Sequence, residues 1–255
     1  MKQAGRFFQL LALCLVLTSC IVLISCKQAP QTEDSGGFNN LEAEKHLLEA
    51  QKLIRKGDFE AAFMHLNKAL SIRPNDPAIH RDMGWLYVYT DQIDKAAEEL
   101  KQLEAMSAGS PEADYLSGAI YDRLEQPRDA VQHYRLALSG SKGQPGLKSK
   151  PELYFDLAAS LNDINQHQEA LQRLEEGLRL SKKAPARRSN AAYFNASEQV
   201  NFYFALCSTH YSLKNLDQAL KTCEKAADLT TDPKERETIT DFMHKLELLQ
   251  VVDKI

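Results

Sequence analysis

The chain is 255 residues long, 44% hydrophobic and 26% charged, with a formal net charge of −4. That length supports one extended domain with tails, and that apolar content a sizeable core. The mildly acidic balance argues against a nucleic-acid partner, which needs a basic face.

Lys2 and Arg6 precede an uncharged apolar run from Phe7 to Ser25, the positive and apolar regions of a secretory leader. The run ends in Leu23-Ile24-Ser25-Cys26, which resembles a bacterial lipobox. That resemblance implies a signal peptide over 1–25 and a lipidated Cys26 as the first residue of the mature protein. Leu17-Thr18-Ser19-Cys20 fits the same pattern. Cys26 is preferred because the polar segment Lys27–Asn40 follows it directly. An ordinary cleaved signal stays open. So does an uncleaved anchor in the inner membrane, since about 18 uncharged residues just span a bilayer. Each reading puts 41–255 outside the cytoplasm, because the positive end stays inside. Cleavage would remove two cations and no acid.

Residues 26–40, which contain Pro, Gln, Thr, Ser and Gly-Gly, predict a flexible tether, with Asn40 placed to cap a first helix. Beyond it, a pattern of small and large residues recurs every 34 positions. Gly84, Tyr87, Ala96 and Leu100 return as Gly118, Tyr121, Ala130 and Tyr134, and upstream as Ala50, Leu53, Ala62 and Leu66. Each unit carries two apolar stripes at helical spacing, split by a turn such as Thr90–Asp91. The small residues let two helices approach closely. Neither helix can bury its stripe alone, so the units must stack.

Asp76-Pro77 and Ser110-Pro111 are helix starts, each a capping side chain followed by Pro at the first helical position. Lys150-Pro151 stands in the same register without a good cap. The spacing from Ala130 to Ala170 implies about six inserted residues, and that from Ala170 to Ala219 about fifteen. Asp232-Pro233-Lys234-Glu235 opens a last helix, whose stripe of Ile239, Phe242, Met243, Leu246 and Leu249 covers the open end of the stack.

Gly57-Asp58-Phe59-Glu60-Ala61-Ala62, followed by Lys68-Ala69-Leu70-Ser71-Ile72-Arg73-Pro74, resembles the second half of a tetratricopeptide repeat. The resemblance implies an all-α, right-handed superhelical solenoid of about five helix-turn-helix repeats over 41–232. The units run at about 43–76, 77–110, 111–139, 151–181 and 200–232, with a C-terminal capping helix at 233–255. It also implies a protein-binding scaffold whose concave groove is lined by the first helix of each unit. Arg81, Trp85 and Tyr89 fall at groove positions in unit two, Tyr115, Asp122 and Arg123 in unit three. Phe155, Asn162 and Asp163 do so in unit four, Asn201, Phe204 and Tyr211 in unit five. A continuous strip of aromatic side chains there is the expected partner site, set against the alternative that some of them pack between units. The carboxylate clamp of this family needs Lys and Asn where Leu47, Gln51 and Asp82 stand, which argues against that ligand.

Lipoproteins similar in this respect act as pilotins for type IV pilus secretins, as outer-membrane assembly factors, or as adaptors of cell-wall hydrolases. The first is preferred, which implies the periplasmic side of the outer membrane; an accessory subunit of an envelope enzyme is the alternative. No catalytic, metal or cofactor motif is present, and the repeat spacing of His46 with His80 and of His65 with His133 marks packing or surface positions and not a ligand set. The expected partners are a protein or peptide and, through the lipid, the membrane. Two further features stay open. Lys142, Lys148, Lys150, Lys182, Lys183, Arg187 and Arg188, in or beside the insertions, are either solvated loops or a site for an anionic partner. Cys207 and Cys223 can pair in an oxidising compartment, but buried thiols acting as small hydrophobes are preferred.

Overall fold

The computed structural model describes residues 35–107, 109–140, 145–183 and 196–252. Cys26, Lys142, Arg187 and Arg188 lie outside them. The chain divides into Met1–Glu42 and Ala43–Ile255, and the repeats belong to the second unit. Eleven helices are found among the described residues. They are α1 (Ser35–Lys56), α2 (Phe59–Ile72), α3 (Pro77–Tyr89), α4 (Ile93–Met106), α5 (Pro111–Arg123) and α6 (Pro127–Ser139). After these come α7 (Pro151–Asp163), α8 (His167–Lys183), α9 (Ala196–Ser212), α10 (Leu216–Leu229) and α11 (Pro233–Val252). Consecutive helices pair as α1/α2 through α9/α10, and α11 follows as a single helix.

One turn geometry recurs in every pair. Gly57, Asp91, Glu125, Asn165 and Lys214 all have φ between 56° and 76°, the left-handed region. At each turn the following amide reaches back five residues, as in Gln92 N–H to Tyr87 C=O at 2.8 Å. The left-handed residue itself donates three back, as in Asp91 N–H to Val88 C=O at 3.2 Å. This Schellman arrangement satisfies carbonyls left open at the helix end. Only the first turn uses glycine, so the other four carry a steric cost of roughly 1–2 kcal/mol each.

The starts follow the sequence closely. Asp76 accepts from Ala78 N–H at 2.8 Å and Ser110 from Ala113 N–H at 3.2 Å, each ahead of its proline. Lys150 caps nothing. Asn40 is not a cap: α1 already begins at Ser35 and Asn40 lies inside it, so the end of the expected tether is helical. At α11, Asp232 accepts from Lys234 N–H at 2.9 Å, while Glu235 takes the Thr230 hydroxyl. That hydroxyl in turn accepts from Asp232 N–H at 3.2 Å.

The small residues of the period form the central contact. Ala62, Ala96, Ala130, Ala170 and Ala219 are all fully buried. Gly84 makes the next unit's approach possible: a Cβ there would stand 2.5 Å from a methyl of Leu116. Two clusters of buried side chains result, one from Leu47 to Ile120 and one from Tyr115 to Leu246, and Trp85 packs against both. The aromatic expected to be free for recognition is thus also the seam between the two cores.

Cys207 and Cys223 are bonded, with Cα atoms 5.3 Å apart. The preferred reading as thiols is therefore replaced by a disulfide joining α9 to α10. Both positions are fully buried where the period calls for close helix contact, and that closeness is what a disulfide needs. Lys182 belongs to the last turn of α8 and not to a loop. Its ammonium donates to the Tyr203 hydroxyl at 2.8 Å and lies 5.3 Å from that ring's centre. Lys183 closes the same helix.

The alanine column sets a testable scale. Ala96→Leu or Ala130→Leu overpacks a fully buried contact and is expected to cost about 1–3 kcal/mol. That corresponds to roughly 2–4 °C in Tm per kcal/mol for a chain of this size. The exposed control Lys101→Ala is expected to leave thermal unfolding unchanged; equal shifts for the two classes would contradict this packing.

Candidate functional site

A cavity of about 350 Å³ opens on the first helices of the first three repeats. One wall is Gln51, Ile54 and Arg55 of α1. Arg81, Asp82, Trp85 and Tyr89 of α3 and Tyr115 of α5 form the base. The other wall is Ser149, Lys150, Pro151 and Glu152 at the start of α7. Gln51 and Arg55 stand one 34-residue period before Trp85 and Tyr89, and Tyr115 one period after Arg81. The cavity is therefore a product of the repeat.

The second wall stands where the insertion meets α7. Leu147 N–H donates to Ala137 C=O at 2.8 Å, tying the inserted segment back onto the end of α6. Gly146 allows this approach, since a Cβ there would lie 1.9 Å from Leu138 C=O. Lys150 is thereby carried to the cavity. Its ammonium lies 5.6 Å from the centre of the Tyr115 ring. Partial burial of that ammonium, followed by the positive charge of Arg81, lowers its pKa below the usual lysine value, although the residue as a whole is exposed.

Within the base, Asp82 is buried and doubly bonded: Gln51 Nε2 donates at 2.7 Å and Arg81 Nε at 2.8 Å. Leu47 is buried. The positions a carboxylate clamp would use thus hold an apolar core residue and a polar pair satisfied internally. Aromatic rings form a connected series: Phe59 stacks on Tyr89 at 5.9 Å, Tyr89 lies 5.8 Å from Trp85, and Trp85 meets Tyr115 edge-on at 4.6 Å.

Four of the twelve groove residues expected from sequence line this cavity: Arg81, Trp85, Tyr89 and Tyr115. Tyr89 is 43% exposed, whereas Tyr115 is buried and donates its hydroxyl to Asp156 Oδ2 at 2.7 Å. Tyr115 is a floor and not a free ring. Five more are engaged elsewhere. Phe155 packs edge-on against the buried Phe202 at 5.2 Å. Asn162 donates to Thr209 Oγ1 at 2.9 Å and has His167 Nδ1 at 3.0 Å. Phe204 and Tyr211 meet Phe242 of α11 at 5.9 and 5.6 Å, so the capping helix lies over the groove face of repeat five. Arg123 is exposed, 3.7 Å from Asp91. Arg55, Lys150 and Glu152 are lining residues that the groove positions did not supply, although the period pointed to Arg55.

Beneath the floor lie two acids. Asp156 accepts from Tyr115, and Asp122 accepts from the Tyr134 hydroxyl at 2.6 Å and Ser160 Oγ at 2.8 Å. Burial raises the pKa of Asp156 to about 7, with the charges of Asp122 and Glu152 adding to the rise and the Tyr115 bond opposing it. Burial likewise raises Asp122, against the bonds from Tyr134 and Ser160. Burial pushes both tyrosines well above the ordinary phenol value, with these acid charges adding to it.

Residues 53–120 match the tetratricopeptide-repeat family. No curated protein sequence matches the chain. Among solved structures, PilF of Pseudomonas aeruginosa aligns at 13% identity over 82% of this chain and 85% of its own, with a TM-score of 0.61. The type IV pilus biogenesis factor PilW aligns at 17% identity over 80% and 85%, also with a TM-score of 0.61. A thermophilic tetratricopeptide-repeat protein of Thermus thermophilus aligns at 16% over 81% and 99%, with a TM-score of 0.59. At these identities the likeness is one of fold. Residues 53–120 thus carry tetratricopeptide repeats, and the described residues have the all-α solenoid fold of tetratricopeptide-repeat proteins.

The acids under the floor give a sign-defined pH dependence. The folded pKa of Asp156, about 7, exceeds the value near 3.9 of an unfolded aspartate. Folding therefore favours the protonated acid. This contribution to stability is fully present below about pH 4 and lost as pH rises through about 7. Asp156→Asn keeps an acceptor for Tyr115 and removes the ionisation. It is expected to be more stable than the parent by roughly 2–4 kcal/mol at pH 8, with the gap closing towards pH 5. Denaturant unfolding at the two pH values checks this, and a gap independent of pH would contradict it.

Proposed function

We propose that this chain is a membrane-tethered scaffold or assembly factor of the bacterial envelope that holds a partner protein or peptide in the cavity on its first three repeats. The cavity carries this reading. It combines an exposed aromatic, a half-buried tryptophan and cations outside any ion pair among the described residues, on the face where stacked first helices converge. The Cys207–Cys223 disulfide fits an oxidising compartment, as the leader requires. The fold shared with PilW, a type IV pilus biogenesis factor, makes pilus assembly the pathway to examine first. The tether would be a lipid on Cys26 and the address the periplasmic side of the outer membrane.

Two experiments test the two halves of the proposal. Trp85→Leu combined with Tyr89→Ala removes the aromatic faces and leaves an apolar side chain at the seam between the cores. Recovery of crosslinked partner from membranes is expected to fall about thirtyfold, the equivalent of about 2 kcal/mol, with Tm little changed. Undiminished recovery would end the groove reading. For the anchor, Cys26→Ala is expected to abolish acylation and release the protein from the outer-membrane fraction. An intact mass showing a mature N-terminus other than acylated Cys26 would refute that assignment; three chains would exceed the two signals a stable anchor needs.

A further inference from the structure

Building on the reading of this cavity as the partner site, we propose that its occupant is an acidic peptide segment. One of its carboxylates bridges Arg55 and Lys150, and a neighbouring apolar side chain lies against Trp85 and Tyr89. The charges inside the cavity carry the argument. Arg81 is held by Asp82, whose second oxygen takes Gln51, so this pair is satisfied without a ligand. Glu152 takes a hydrogen bond from its own backbone N–H, and burial raises its pKa. Arg55 and Lys150 remain, and among the described residues neither forms an ion pair. The ammonium of Lys150 rests over the Tyr115 ring, where Arg81 disfavours its charge and Glu152, Glu112 and Asp82 favour it without pairing with it. A carboxylate placed between Arg55 and Lys150 gains charge-assisted hydrogen bonds from both.

The geometry adds a mechanical consequence. Arg55 belongs to α1 and Lys150 to the residues just before α7, so a carboxylate between them ties repeat one to repeat four across the cavity. The cations sit at the two walls and not at the Leu47, Gln51 and Asp82 positions. The chain as a whole is acidic, with a net charge of −4, so attraction of an acidic peptide is local to this site.

The chain supplies its own probe, because Trp85 is its only tryptophan. Full-length protein in detergent micelles is titrated with the blocked hexapeptide Gly-Asp-Glu-Leu-Phe-Gly, with its Asn-Gln counterpart and with its Lys-Lys counterpart, following Trp85 emission. A saturable change is expected for the acidic peptide, at least about tenfold weaker binding for the amide peptide, and none for the basic one. Arg55→Gln and Lys150→Gln are each expected to weaken the acidic peptide about tenfold, Arg55→Lys much less, and added salt to weaken it further. Equal binding of the acidic and amide peptides to the parent protein overturns the proposal, whatever the stability of the variants. So does unchanged binding by glutamine variants of parental Tm. So does a saturable response to phosphatidylglycerol vesicles in the absence of any response to the acidic peptide. Failure here while the Trp85→Leu/Tyr89→Ala variant still loses its partner defeats the acidic ligand alone. Undiminished recovery by that variant defeats the cavity reading beneath it.

Discussion

The close approach of paired helices at Ala62, Ala96, Ala130, Ala170 and Ala219 is the contact on which the stack depends. A helix of 13 or 14 residues, such as α3 or α4, is marginal by itself in water. It persists because its apolar stripe is covered on both sides, first by its partner and then by the next unit. The turn geometry serves that contact. A left-handed residue at the same place in all five pairs sends the second helix back antiparallel at a fixed distance. The steric cost at Asp91, Glu125, Asn165 and Lys214 is offset by the packing it permits. Among the described residues a single helix follows the fifth pair, and it is the pair that carries a disulfide. Closing a loop of 16 residues removes roughly 3 kcal/mol of denatured-state freedom in the chain-entropy account.

The base and first wall of the cavity follow the 34-residue period, and its second wall stands where the insertion meets α7. The extra residues, folded back through the Leu147–Ala137 hydrogen bond, raise that wall. At the other end α11 brings Phe242 against Phe204 and Tyr211, so the groove face of repeat five is engaged in packing. The cavity thus lies on repeats one to three, between the residues at the start of α7 and the first helix of the stack.

Much of the fold was legible because its signals are local and periodic. A small residue every 34 positions, Asp or Ser before Pro at two helix starts, and an apolar stripe after Asp232-Pro233 each have a single structural reading. The site was legible only in part. Groove register identifies which face a side chain leaves from, and Arg81, Trp85 and Tyr89 do meet there. It does not tell what the side chain meets next. Tyr115 has the register of a groove residue and the burial of a core residue, because Asp156 on the next unit takes its hydroxyl. Phe155 and Asn162 are drawn into α9 in the same way. The disulfide was ambiguous for a related reason: two cysteines at close-packing positions look alike whether bonded or not until their separation is known.

The acids beneath Tyr115 close the argument about how the floor is held. A tyrosine hydroxyl buried at an inter-repeat contact needs an acceptor, and Asp156 supplies one. The acceptor is itself costly when ionised, because Asp122 and Glu152 add like charge in a desolvated setting. Holding the proton on Asp156 near neutral pH avoids most of that cost while a carboxyl oxygen still takes the Tyr115 hydroxyl. The floor of the cavity and the stability of the third and fourth repeats therefore rest on the same group. A change in ionisation at Asp156 acts on Tyr115 directly and reaches Trp85 through their edge-on contact at 4.6 Å. The residues that shape the cavity therefore also join the two halves of the core, with Trp85 packed against both.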